Sequence, residues 1–169
     1  DDDYDTVNSA VATNGDLVAF NQMMDLAYGS IQNQTTYDAI KEYLDIDAFI
    51  DYMILNAYVG NRDWDGHNWR AARRREPGAG YLFFPWDTET AASHVGGGVF
   101  DPPPEFYSTA LATNVTGSYV NNGNRQNRPT HLQSRLQLNA EYRLRFGDRV
   151  RAHFFNGGAL TPGPASTLW

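Results

Sequence analysis

The chain has 169 residues, with 20 acidic and 13 basic side chains and a net charge of −7. That is long enough for one domain with a sizeable core, and it is the wrong sign for a protein whose main task is to cover nucleic-acid phosphates. The absence of cysteine excludes a disulfide scaffold, a thiolate zinc site and a cysteine nucleophile, and no run of about 18 apolar residues is present to span a membrane.

Asp16 followed by Leu17, Val18, Phe20, Met23, Met24 and Ala27, and closed by Gly29, predicts a short amphipathic helix with an acidic cap. A second helical stretch runs from about Thr36 through Tyr37 and Ile40 to Leu44. Asp45 or Asp47 then caps a third, in which Phe49, Ile50, Met53, Ile54, Ala57 and Tyr58 recur at helical spacing until Gly60. Trp69 and Ala71 alternate with Arg70 and Ala72 ahead of Arg73, the turn chemistry of Glu76 to Gly80 follows, and Tyr81 to Phe84 is an apolar run. This pattern predicts a β-hairpin. Residues 92–129, rich in Gly, Pro and Asn, read as one long irregular loop. Leu132, Leu136 and Leu138 predict another helix. Tyr142, Phe146, Val150 and Phe154 stand four apart on a last one, which Gly157-Gly158 stops. Residues 162–169 read as an irregular tail. The elements sum to one α+β domain over 1–169, mainly α-helical, with Phe49, Met53, Tyr142, Phe146, Val150 and Phe154 expected in one helical core.

The chemistry concentrates between the third helix and the end of the hairpin. Arg62-Asp63 followed by Asn68 has the spacing of a kinase catalytic loop, in which an Asp accepts the proton of the substrate hydroxyl and an Asn five residues on holds a metal. One short rigid loop can then present a carboxylate to the acceptor and an amide oxygen to the metal on the nucleotide phosphates. A second carboxylate is needed just after a hairpin, and Asp87 stands there. The same loop, Asn61-x-Asp63-x-Asp65-Gly66, also matches the first half of an EF-hand, but the position that needs a bidentate Glu is Ala72. A glycosidase pair formed by Asp63 with Asp87 or Glu89 is a further option without a sugar-stacking context to support it.

Four segments together carry a family resemblance: Tyr43-Leu44-Asp45-Ile46-Asp47-Ala48-Phe49-Ile50-Asp51-Tyr52, the loop from Asn61 to Asn68, Phe84-Pro85-Trp86-Asp87-Thr88-Glu89, and His153 through Thr161. They resemble the CotH family of atypical, protein-kinase-like proteins, named for a spore-coat kinase, over most of residues 16–161. The resemblance implies a kinase C-lobe whose small β-hairpin carries the metal-binding Asp. It also implies Asp63 as catalytic base, Asn68 and Asp87 as metal ligands, and Trp86-Asp87 as the counterpart of the DFG segment. Glu89 stands where the family's Trp-Asp-x-Asp pattern has Asp, and it can coordinate through one more methylene. The implied cofactors are ATP with Mg²⁺ or Mn²⁺, and the implied partner is a protein with a Ser or Thr acceptor, at a cell surface or spore coat. Neither nucleic acid nor a membrane span is expected.

The N-lobe that carries a nucleotide-gripping lysine in such kinases has no match in this chain. The single lysine, Lys41, reads as an exposed helix residue. The isolated chain is therefore expected to be nearly inactive, with the missing lobe or an upstream domain as partner. The alternative is an inactive secreted or surface binding module on the same scaffold. His67, His94, His131 and His153 show no zinc spacing. Arg73-Arg74-Arg75 reads as a solvated charge run.

Overall fold

Regular structure begins ahead of the first expected helix. The computed structural model describes residues 3–59, 61, 64–88 and 125–167. In it, Tyr4–Asn8 (β1) and Val11–Asn14 (β2) pair antiparallel. Their two-residue connection, Ser9-Ala10, has φ of 50° and 69°, and positive values at both positions suit the twist of a tight hairpin. Asn-Gly is the usual chemistry for that geometry, so the sequence carries no turn signal here. Tertiary bonds pin the turn instead: Ser9 N donates to the Trp69 carbonyl at 3.4 Å, and Ser9 Oγ donates to the His67 carbonyl.

β1 pairs on its other side with Trp69–Arg74 (β3), which pairs with Leu82–Pro85 (β4), giving an antiparallel sheet ordered β2-β1-β3-β4. Val7, Ala71 and Phe83 lie in one register row and are all buried, so this face of the sheet is the core face. Leu82 and Phe84 on the opposite face are exposed.

Six helices are present among the described residues: Val18–Tyr28 (α1), Gln34–Ile40 (α2), Ile46–Tyr58 (α3), Pro129–Leu136 (α4), Ala140–Phe154 (α5) and Pro162–Ser166 (α6). Their starts follow from local chemistry. Asp16 accepts from Val18 N at 2.8 Å, Asp45 from Ala48 N at 3.0 Å, and Asn139 from Glu141 N at 2.9 Å, each satisfying an orphan donor of a first turn. The core is aromatic. Phe83 lies 5.0 Å from Phe49, 5.6 Å from Trp69 and 5.7 Å from Tyr52 between ring centroids, which ties the hairpin to α3.

α3 and α5 run side by side in the same direction. Arg145 Nε donates to Asp47 at 2.7 Å and Arg149 Nε to Asp51 at 2.7 Å, and both guanidinium groups bond two carboxylate oxygens. This ladder explains a departure from the expected core. Tyr142 is fully buried, whereas Phe146 and Val150 only pack against the core, and Phe154 is 37 % exposed, edge-on to Tyr58 at 5.5 Å. Charged pairs occupy the rest of the face that the four-residue spacing had assigned to the interior.

Three further boundaries differ from the sequence reading. The second helix stops at Ile40, and Leu44 instead bridges Tyr81. Of the expected loop, residues 92–124 lie outside the described residues, 125–128 are irregular, and Pro129 opens α4, where its missing N–H costs nothing. The expected irregular tail contains α6, again started by a proline. The arginine run is largely engaged: Arg75 bonds Asp5 and Asp16, Arg74 bonds Tyr4 Oη, and Arg73 lies over the Tyr81 ring.

Candidate active site

The segment between α3 and β3 is held at successive points. Asn61 donates its side-chain amide to Asn56 Oδ1 at 2.8 Å and its backbone N–H to the Asn56 carbonyl at 3.0 Å. Trp64 is buried, edge-on to Tyr52 at 5.6 Å. Asp65 accepts from Thr130 N at 2.9 Å and from Thr130 Oγ1 at 2.7 Å. Asn68 is buried, and its carbonyl accepts from Trp86 N at 3.3 Å.

That last bond sets the site's geometry. Trp69 pairs with Pro85 in the sheet register, so the β3–β4 hairpin opens at Asn68 on one strand and at Trp86-Asp87 on the other. Asn68 and Asp87 are nineteen positions apart in sequence, yet they leave adjacent strand ends at one edge of the sheet. Asp87 has φ of 52°, a left-handed conformation that Asp tolerates better than most side chains. It breaks the strand alternation at that residue. Asp87 is exposed.

Asp63 and Glu89 lie outside the described residues, so the expected base and the expected additional ligand have no described position. Among the described residues no group of three or more His, Asp or Glu side chains could hold a metal ion. Asn68 and Asp87 offer an amide oxygen and a carboxylate, hard donors of the kind Mg²⁺ and Mn²⁺ accept from a protein that leaves their other positions to water and phosphate.

Around this edge the electrostatics are set by burial. Tyr52 is held protonated well above the ordinary tyrosine range by burial, reinforced by the nearby Asp65 carboxylate. His131 is pushed down by burial, and its Nδ1 lies 2.9 Å from Tyr28 Oη, so it serves packing between α1 and α4. Lys41 pairs with Asp38 at 2.8 Å and with Glu141 at 3.0 Å, which commits the chain's only lysine away from the sheet edge. Two features escaped the sequence reading. Arg70 lies 3.9 Å from the Trp86 ring centroid, a contact made visible only by the cross-strand register. Asp65 caps α4 across 65 residues of sequence, and no local pattern signals a partner that distant.

Comparison with protein families matches this chain to CotH, the CotH kinase protein, over residues 1–159. The chain belongs to the CotH kinase family. Comparisons with curated proteins and with solved structures gave no match. The family match starts at residue 1, so it includes the β1–β2 hairpin as well as the loop and hairpin that carry Asn68 and Asp87. The α+β architecture of this CotH-family chain agrees with expectation. No helix among the described residues is long and apolar enough to cross a membrane.

Proposed function

We propose that this CotH-family chain forms the C-lobe part of a metal-dependent phosphotransferase that moves the γ-phosphoryl group of ATP to a Ser or Thr hydroxyl of a protein. In this reading Asp63 takes the hydroxyl proton as the hydroxyl oxygen attacks phosphorus and ADP leaves. Asn68 and Asp87 hold Mg²⁺ or Mn²⁺, with Glu89 as a further ligand. The bound metal would neutralise charge on the phosphate oxygens. The supporting observation is the opening of the β3–β4 hairpin, where the Trp86 N to Asn68 carbonyl bond of 3.3 Å sets the backbone of Asn68 beside that of Trp86, the residue before Asp87. For a protein acceptor at a cell surface or spore coat the support is the family match alone.

The test is label transfer from γ-labelled ATP by the natural full-length protein with Mg²⁺ or Mn²⁺. Asp63→Ala and Asp87→Ala should each abolish incorporation while leaving the thermal transition in place. The 169-residue chain alone should turn over little, because its one lysine is engaged by Asp38 and Glu141. Equal incorporation by wild type and both variants would sink the assigned roles. A second reading, an inactive binding module, is favoured by the exposed row Leu82, Phe84 and Trp86 on the outer sheet face. No incorporation by a wild type that binds a surface partner would support it.

A further inference from the structure

Asp65 stands two residues after the proposed base, at a position that also fits the first half of an EF-hand loop. Its surroundings assign it elsewhere. α4 receives no capping bond from Arg128, the residue at its N-cap. Asp65 supplies that cap from another part of the chain: one oxygen accepts from Thr130 N at 2.9 Å, and the other accepts from Thr130 Oγ1 at 2.7 Å with Arg128 Nη1 at 4.0 Å. Both carboxylate oxygens are used, and the anion lies at the positive end of a helix. Thr130 is 1 % exposed, so the contact is sheltered from competing water.

α4 is itself a fixed platform. Arg135 donates to the Ala27 carbonyl at 3.2 Å, His131 meets Tyr28 Oη at 2.9 Å, and Leu132 and Leu136 are buried. The helix is therefore fastened to the end of α1 along its length. A loop tied to it inherits that rigidity.

We infer that Asp65 is a positioning residue: by clamping the loop to the N-terminus of α4 through Thr130, it fixes the backbone that delivers Asn68, three residues on, to the edge beside Asp87. This rests on the phosphotransferase reading, in which Asn68 is a metal ligand. Groups that orient a metal ligand without touching the metal matter at the level of about 10- to 100-fold in affinity, and Asp65 belongs in that class.

The experiment compares the natural full-length protein, as wild type, with its Asp65→Ala, Thr130→Val and Thr130→Ser variants. It measures Mn²⁺ uptake in the presence of ATP by electron paramagnetic resonance, hydrogen exchange of the amides of residues 64–68, and the urea midpoint. Asp65→Ala should weaken Mn²⁺·ATP binding by about 10- to 100-fold and speed exchange across 64–68. Thr130→Val, which keeps the backbone bond, should show a smaller loss, and Thr130→Ser, which keeps the hydroxyl, should match wild type. A purely structural cap would lower the urea midpoint and leave Mn²⁺·ATP affinity unchanged, and that result overturns the inference. If Asp65→Ala does not fold, the Val and Ser variants decide: equal affinity in both refutes the clamp. A wild type that takes up no Mn²⁺·ATP sinks the phosphotransferase reading, and the clamp then stands or falls on exchange, unchanged protection in Thr130→Val counting against it.

Discussion

Truncating Phe83 to Ala tests whether the hairpin is docked on α3 as described. The ring is 7 % exposed and lies within 5.0 to 5.7 Å, centroid to centroid, of Phe49, Trp69 and Tyr52. Those neighbours belong to α3 and β3 and cannot collapse into the space without moving the sheet. A large cavity of this kind costs about 3–5 kcal/mol, a sizeable part of the roughly 5–15 kcal/mol that ordinarily separates folded from unfolded. At about 2–4 °C per kcal/mol for a domain of this size, Tm should fall by roughly 6–20 °C. Phe84, the next residue, is 46 % exposed on the other face, and its truncation should cost less than about 1 kcal/mol. Urea titration of both variants, followed by tryptophan fluorescence and far-UV dichroism, reads the difference. Equal losses for Phe83→Ala and Phe84→Ala would refute the assignment of the two faces, and with it the docking that places Asn68 and Asp87 at the edge.

Two other outcomes follow from single positions. At Gly80 an added Cβ would lie 2.4 Å from Asp45 N and 2.6 Å from the Leu44 carbonyl carbon, so Gly80→Ala must displace backbone that carries the Tyr81 N to Tyr43 carbonyl bond of 2.7 Å. It should cost about 1–3 kcal/mol, against almost nothing for Gly66→Ala, where nothing stands within 4 Å; a neutral Gly80→Ala in differential scanning calorimetry would show that the chains do not approach there. Burial pushes the Asp51 carboxyl up, but its bonds from Arg149 and His153 outweigh that and hold it below the ordinary 3.8. A depressed folded value means that the stabilisation is complete above the ordinary value and drains away as pH falls through the folded one. The stability gap between wild type and Asp51→Asn should therefore narrow as urea midpoints are taken from about pH 6 to about pH 3, and a gap that stays constant or widens contradicts the pairing.

Where a segment's partners lie close in sequence, the chain could be read without a structure. α1 and α3 follow from apolar spacing behind Asp16 and Asp45, and each carboxylate does accept from the first turn. The β3–β4 hairpin follows from alternation around Glu76-Pro77-Gly78. β1 and β2 did not announce themselves, because Ser9-Ala10 is not the dipeptide that positive φ at two positions favours, and its stability comes from residues 67 and 69. Phe146, Val150 and Phe154 have the spacing of a buried stripe, yet Arg145 and Arg149 turn the same helix toward Asp47 and Asp51 on α3. Periodicity counts apolar residues on a face. It does not weigh them against two bidentate ion pairs that compete for the same contact.

The candidate site divides along the same line. The residue types were legible, because a loop holding Asp63 and Asn68 and a carboxylate just past a hairpin is a pattern of spacing. What brings Asn68 to Asp87 is register, fixed when Val7, Ala71 and Phe83 bury one row of the sheet. A slip of one residue would turn Asn68 to the other face and bury the charge of Arg70 instead. Among the contacts that hold the loop, the bonds from Thr130 to Asp65 come from sixty-five residues away. Residue type alone does not tell Asp63 from Asp65, two carboxylates in one polar loop, and only the spacing to Asn68 singles out the first. Asp63 lies outside the described residues, whereas Asp65 has both oxygens committed to the start of α4 and is therefore spent on geometry.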